Sequence, residues 1–258
     1  VSSNVGISKL VNKHYQKKPE KFIDRLREMH LDKPLGLEIT GEGEPSIKSP
    51  NDPTWSGITL PWMSIGYEVL QTPIHTLAFY NAIANDGVMV KPKLVRAIKK
   101  HGKIEKEFPT EVLHKQICSK NTVEKLKQLM EGVVEHGTAS NLKHANYKIA
   151  GKTGTAQIAK GGSYHRDKSY QASFVGYFPA DKPRYTCIVV VDSPTSSVYY
   201  GNVVAGPIFK EISDKVYSTQ TKMHEKVEAD PNMADGRMPF SNVSEKMDLE
   251  VAFKRLNI

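Results

Sequence analysis

Two short apolar segments, Ala172–Phe178 and Tyr185–Val191, follow one another with only Pro179-Ala180-Asp181-Lys182-Pro183 between them. Each has the length and the aromatic and β-branched content of a strand, and the connection has the turn chemistry of an antiparallel hairpin. Tyr147–Ala150 leads into Gly151-Lys152-Thr153-Gly154-Thr155, and Val203–Val216 follows with Val204, Ile208, Ile212 and Val216 at helical spacing and Pro207 near its start. Upstream, helical periodicity recurs in 5–33, where Pro19 separates two helices, in 72–84 up to Asn85-Asp86-Gly87, and in 121–135 behind Asn121 as N-cap. The pattern is thus one of helices and an antiparallel hairpin. No β-α-β alternation with a phosphate loop occurs, which excludes a doubly wound nucleotide fold.

Between these elements the readings are plainer. Residues 34–62, rich in Gly and Pro, read as a long surface excursion, and 93–98 as a strand followed by a turn at Gly102. The chain has 258 residues, 39% of them apolar, enough to bury a core and too many for a disordered or collagen-like chain. No apolar run approaches the roughly 18 residues of a membrane span. Cys118 and Cys187 are too few for a disulfide framework or a four-ligand zinc site, and Cys187 reads as a buried small hydrophobe. None of the nine histidines pairs at His-x-x-x-His spacing, so neither a metal site nor a cofactor is expected. The net charge of +8 is concentrated in 91–128, which hold eleven Lys/Arg against four acids. Few aromatics interleave with these lysines, so the stretch reads as a solvated surface and nucleic-acid binding is not expected.

The stretch most suited to chemistry is Lys152-Thr153-Gly154-Thr155. Lysine supplies a fixed cation, the threonines supply hydroxyls, and glycine lets a ligand backbone lie alongside. Such a strand edge suits an extended anionic ligand; a turn carrying a solvated lysine is the rival reading. Ser2-Ser3-Asn4 opens a helical segment and by itself reads as an ordinary N-terminal cap.

In that order, however, Ser-x-Asn and Lys-Thr-Gly are two of the three motifs of penicillin-binding proteins and class A β-lactamases. The resemblance continues through Ser64–Pro73, Ala82–Gly87, Lys91-Pro92, Val133–Ala139, Ala150–Gln157, Ser173–Ala180 and Tyr200–Pro207. Over residues 1–218 the chain resembles the transpeptidase domain of class B penicillin-binding proteins, with greatest similarity to the division-specific, septal group. The resemblance implies an α+β fold, an antiparallel sheet flanked by helices, and a peptidoglycan cross-linking D,D-transpeptidase. A serine of a Ser-x-x-Lys motif attacks a D-Ala-D-Ala stem peptide, an amine of a neighbouring stem peptide takes the acyl group, and β-lactams trap the acyl-enzyme. It implies that Ser2 relays a proton, that Asn4 orients lysine and substrate, and that Lys152 gives electrostatic and proton-relay support. Thr153, Gly154 and Thr155 would form the strand that binds substrate or β-lactam, with the Thr155 N–H as an oxyanion-hole donor. The implied setting is the extracytoplasmic face of the plasma membrane, with an N-terminal membrane anchor and cell-wall synthesis proteins as partners.

The Ser-x-x-Lys motif and the first two strands of the family's five-stranded sheet belong before Val1. The expectation is thus a chain that lacks the nucleophile, is inactive alone and leaves the strand at 185–191 with an unpaired edge. Ser140-Asn141-Leu142-Lys143 has the nucleophile spacing but stands between two matched motifs, where the family has no nucleophile. Residues 219–240 read as a linker, 241–258 as the start of an extra module, and 161–168 as a loop bordering the cleft. The rival functions are a D,D-carboxypeptidase or serine β-lactamase, with water in place of the amine, and a non-catalytic scaffold or β-lactam sensor.

Overall fold

The structure, a computed structural model, describes residues 2–143, 146–159, 169–195 and 198–220. The loop at 161–168, the linker past Gln220 and the module at 241–258 lie outside the described residues.

Helix α1 (Asn4–Tyr15) starts at Ser3, whose hydroxyl accepts the Gly6 N–H at 3.1 Å. Pro19 stands immediately before α2 (Glu20–Glu28). The excursion at 34–62 is less superficial than its composition suggests. It contains β1 (Ser46–Ile47) and most of α3 (Thr59–Met63), and it buries Leu35, Thr59 and Leu60. A carboxylate does part of the anchoring. Glu42 accepts the N–H groups of Leu35 (2.5 Å) and Leu37 (2.8 Å) and lies 3.4 Å from Nε2 of buried His75. Strand β2 (Val69–Leu70) pairs with β1, and α4 (Pro73–Ala84) follows, with His75, Ala78, Ala82, Ile83 and Ala84 buried. Its stop lies where the sequence places it: the Gly87 N–H returns to the Ala82 carbonyl with φ at +91°, a conformation suited to glycine.

Next come β3 (Met89–Val90), β4 (Ala97–Lys100), β5 (Lys103–Glu107) and β6 (Val112–His114), with β3 paired to β6 and β4 to β5. The strand expected at 93–98 is shifted to 97–100. The His101-Gly102 turn sets the register, and pairing begins only where Ala97 meets Glu107. Helix α5 (Lys120–Glu135) is capped by Ser119, whose hydroxyl accepts the Thr122 N–H, and not by Asn121. Ser119 is the last residue with extended backbone, so the helix starts at Lys120 and Asn121 falls inside it. Val123, Met130 and Val134 face the core while Leu129 is exposed.

After a short 3-10 turn at Ser140–Leu142 come β7 (Ala150–Ile158), β8 (Ser169–Phe178) and β9 (Tyr185–Asp192), an antiparallel sheet in the order β7-β8-β9. Both hairpin strands are where the apolar segments put them. Among the described residues β9 pairs only with β8. The single helix expected over 203–216 is two, α6 (Gly201–Val204) and α7 (Gly206–Thr219). Pro207 has no N–H to continue the ladder, so the helix breaks at Ala205 and restarts with Pro207 in its first turn.

The strand alternation divides the sheet into two faces. On one, Ala150 and Tyr177 pack with Ala82, Ile83, Met89, Val123 and Met130 of the α4 and α5 side. On the other, Phe174 and Phe178 meet Phe209 of α7 edge-on, at ring-centroid distances of 4.7 and 5.9 Å. Gly151 and Gly176, paired across β7 and β8, form the floor under the Phe174 ring. A Cβ on Gly176 would lie 2.4 Å from the Ala150 carbonyl oxygen. Cys118 is buried, whereas Cys187 is half-buried, as the middle of an outer strand would be.

Two outcomes are expected. Gly176→Ala lowers stability by about 1–3 kcal/mol through overpacking, read as a lower urea midpoint at unchanged slope. Burial holds the His75 imidazole below 6.5, with Glu42 offsetting part of the effect. The unfolded chain then takes up this proton before the folded one, so stability falls as pH drops below 6.5; His75→Gln flattens that part of the curve in pH-resolved denaturation.

Candidate functional site

An antiparallel ladder turns the backbone of alternate residues toward and away from its partner. In β7 the Gln157 N–H points away from β8 and donates to the Tyr67 hydroxyl at 3.2 Å. Gly151, Thr153 and Thr155 share that parity, so their N–H and C=O groups also face the outer edge. Ala150, Lys152, Gly154 and Ala156 bond to β8. The sequence pattern thus has a definite meaning on the strand: the two threonines present their backbone outward, while lysine and glycine secure the sheet.

The side chains sort by the same alternation. Gly154 stands opposite Ser173, whose hydroxyl would be 2.4 Å from a Cβ there. Lys152, on the same face, is half-buried, and its ammonium donates to the Thr153 carbonyl at 2.7 Å. Burial lowers its pKa, and among the described residues no carboxylate lies within ion-pair distance of it. On the opposite face the Thr155 hydroxyl accepts the Gly201 N–H at 3.1 Å, which leaves its own proton to donate elsewhere. The Thr153 and Thr138 hydroxyls are 3.2 Å apart.

Two glycines make these contacts. Gly201 lies so close to the sheet that a Cβ would be 2.3 Å from the Ser173 carbonyl oxygen and 2.5 Å from that of Gly154. Gly137 turns the chain at the end of α5, where a Cβ would strike the Val133 backbone at 2.8 Å, and this brings Thr138 to Thr153. Neither Gly201, Thr138 nor Tyr67 has a motif of its own. Each lies inside a segment that carries the family resemblance, and only the folded contacts single it out.

Ser2 and Asn4 are exposed at the start of α1, and it is Ser3 that caps the helix. Among the described residues no hydrogen bond joins Ser2 or Asn4 directly to β7. The connection is indirect. The Ser8 hydroxyl donates to the Pro61 carbonyl and lies 3.1 Å from the Ser64 hydroxyl, so α1 is fixed to the turn that carries Tyr67, and Tyr67 holds Gln157. Ser140 is exposed in the 3-10 turn, and Lys143 is directed to Glu135 at 3.3 Å. No cluster of His, Cys, Asp and Glu that could hold a metal occurs among the described residues.

Residues 1–214 match the family described as the penicillin binding protein transpeptidase domain. The chain is 31% identical over 212 residues to a probable peptidoglycan D,D-transpeptidase PbpC of Pseudomonas aeruginosa, covering 82% of this chain and 34% of that protein. It is 31% identical over 201 residues to stage V sporulation protein D of Bacillus subtilis (75% and 30%), and 30% identical over 218 residues to the peptidoglycan D,D-transpeptidase FtsI of Buchnera aphidicola (83% and 36%). The chain thus spans about a third of the length of these relatives. Penicillin binding protein 3 of Mycobacterium tuberculosis superposes on it with a TM-score of 0.71 in the apo form, at 30% identity over 84% of this chain and 49% of that one. Its ampicillin complex gives 0.73, at 28% identity over 89% and 51%. The α+β architecture, the open strand 150–158 and these matches agree: the chain belongs to the penicillin binding protein transpeptidase domain family.

Proposed function

We propose that this chain supplies the substrate-strand side of a peptidoglycan D,D-transpeptidase working through an acyl-serine. The outward backbone of Thr155, flanked by two threonine hydroxyls and a half-buried lysine, carries the reading. A D-Ala-D-Ala stem peptide or a β-lactam lies along β7, with its carboxylate held by the Thr153 and Thr155 hydroxyls and by the Lys152 charge. The serine of a Ser-x-x-Lys motif attacks the carbonyl carbon. The oxygen that becomes negative receives the Thr155 N–H, a donor worth roughly 3–4 kcal/mol when preorganised. D-Ala leaves with a proton, and the amine of a second stem peptide takes the acyl group from the serine. Ser2 acts as proton relay to the departing amine, Asn4 orients the lysine of the nucleophile motif and the substrate, and Lys152 keeps the relay polarised.

The protein acts at the extracytoplasmic face of the plasma membrane, where its substrate lies, with an N-terminal membrane anchor and other cell-wall synthesis proteins as partners. Ser140 has no part in the acyl transfer. The domain reading is 1–218 for the transpeptidase part, 219–240 for a linker and 241–258 for the start of a further module.

The complete gene product, incubated with a fluorescent penicillin and analysed by intact mass, gains one covalent adduct on the serine of a Ser-x-x-Lys motif. With a D-Ala-D-Ala thioester donor, added amine acceptor diverts the acyl group from hydrolysis to aminolysis. Release by water alone marks a carboxypeptidase, rapid turnover of penicillin marks a β-lactamase, and no adduct marks a scaffold; each overturns the proposal.

Lys152→Met lowers the acylation rate constant by roughly 10²-fold or more, the usual range for loss of a positioned proton-transfer group. The same variant shows a stability signature. With its pKa lowered in the fold, Lys152 releases its proton before the unfolded chain does, so folding stability rises with pH in the window below 10.5. Lys152→Met lacks that contribution, which pH-resolved urea unfolding reads directly.

A further inference from the structure

Tyr67 occupies a place on β7 that the proposed chemistry does not use. Along the outer edge the backbone groups follow in a fixed order: the N–H and C=O of Thr153, then of Thr155, then of Gln157. The Thr153 carbonyl already accepts the Lys152 ammonium. The Gln157 N–H already donates to the Tyr67 hydroxyl. Between these two occupied positions, the N–H and C=O of Thr155 form the one complete pair that no described residue engages. An extended ligand can therefore make one residue's worth of antiparallel pairing at Thr155, and on its way toward Ile158 it meets the tyrosine.

The tyrosine is held from several directions. It sits in a turn with Gly66 at φ +101° and Glu68 at φ +60°. The Ser64 hydroxyl binds both the Pro61 carbonyl (2.5 Å) and Ser8 of α1. Glu68 pairs with Lys48 at 2.7 Å, both largely shielded, and the Trp62 ring lies 5.5 Å from the Tyr67 ring. A side chain fixed in this way is a stop on the strand, unlike a loose residue that a ligand could displace.

We propose that Tyr67 is a specificity-determining positioning residue: by taking the outward N–H of Gln157, it ends strand addition at Thr155 and limits how far along β7 the acyl side chain of a donor or β-lactam can pair. This rests on the reading that the 152–155 edge is the ligand strand. The ligand chemistry selected against is an acyl chain with a further amide carbonyl placed to accept from Gln157; the chemistry selected for is a chain that ends its polar contacts at Thr155.

The test uses the complete gene product with two penicillins, benzylpenicillin, whose side chain has one amide, and piperacillin, whose side chain carries further carbonyls. Residue-resolved amide exchange is measured first. Tyr67→Phe removes the acceptor, and exchange at Gln157 accelerates about tenfold, the size of one ordinary hydrogen bond. Second-order acylation constants are then compared. The ratio of piperacillin to benzylpenicillin rises at least threefold in Tyr67→Phe and further in Tyr67→Ala, which also removes the ring. A ratio unchanged in both variants, or unaltered exchange at Gln157, overturns the inference. A wild-type protein that neither penicillin acylates overturns the functional reading instead, and the Gln157 exchange result then still judges the cap. A variant that merely unfolds accelerates exchange throughout the sheet, not at Gln157 alone, and such a result counts against a local role.

Discussion

The ladder between β7 and β8 runs unbroken from Ala150 to Ile158, and the rest of the structure is arranged around what it leaves open. A strand bonded on one side only is ordinarily a hazard, because it invites any other chain to pair with it. Here the open edge is limited by chemistry on both sides of Thr155. Lysine closes it at one end, tyrosine at the other, and helix α6 lies on the face beside it through a glycine that has no room for a Cβ. Between the lysine and tyrosine contacts no described residue engages the backbone N–H and C=O of Thr155, which stand between two hydroxyls. The lysine that closes one end is itself half-buried, and burial disfavours its charged form and lowers its pKa from the ordinary lysine value.

Two regions distant in sequence are thereby combined. The start of α1, with Ser2 and Asn4, makes no direct bond to β7 among the described residues. The serine pair Ser8 and Ser64 and then Tyr67 and Gln157 fix both to the same turn. In the proposed reading these are parts of one acyl-transfer site, which need mutual placement to fractions of an ångström, and side chains packed between rigid elements achieve this better than loops alone. The turn at Ser64–Glu68 is in that sense a spacer between helix and strand, and the carboxylate of Glu42 against His75 secures the strap next to it.

The sheet was easy to read from the sequence because Ala172–Phe178 and Tyr185–Val191 are apolar, β-branched and bounded by prolines. The Lys-Thr-Gly residues by type fitted a turn with a solvated lysine as well as a strand, and it was their place before the hairpin and the family resemblance that made the strand legible. Boundaries were less legible where local rules compete. Asn121 is a good cap in isolation, yet Ser119 is the residue with extended backbone, and Pro207 divides a continuous apolar period into two helices. The buried parts of 34–62 were hidden by composition: glycine and proline mark turns, while the anchoring comes from one glutamate whose partners are backbone amides and a histidine of another helix. Thr138, Gly201 and Tyr67 could not be assigned roles by type at all, because each acts through one contact across the fold.

The most direct test is a crystal structure of the complete gene product acylated by a penicillin. The account predicts the ester carbonyl oxygen about 3 Å from the Thr155 nitrogen, with the side-chain amide of the ligand on the Thr155 carbonyl and its carboxylate between the Thr153 and Thr155 hydroxyls. An acyl group carried on Ser140, or one whose carbonyl points away from β7, would contradict it.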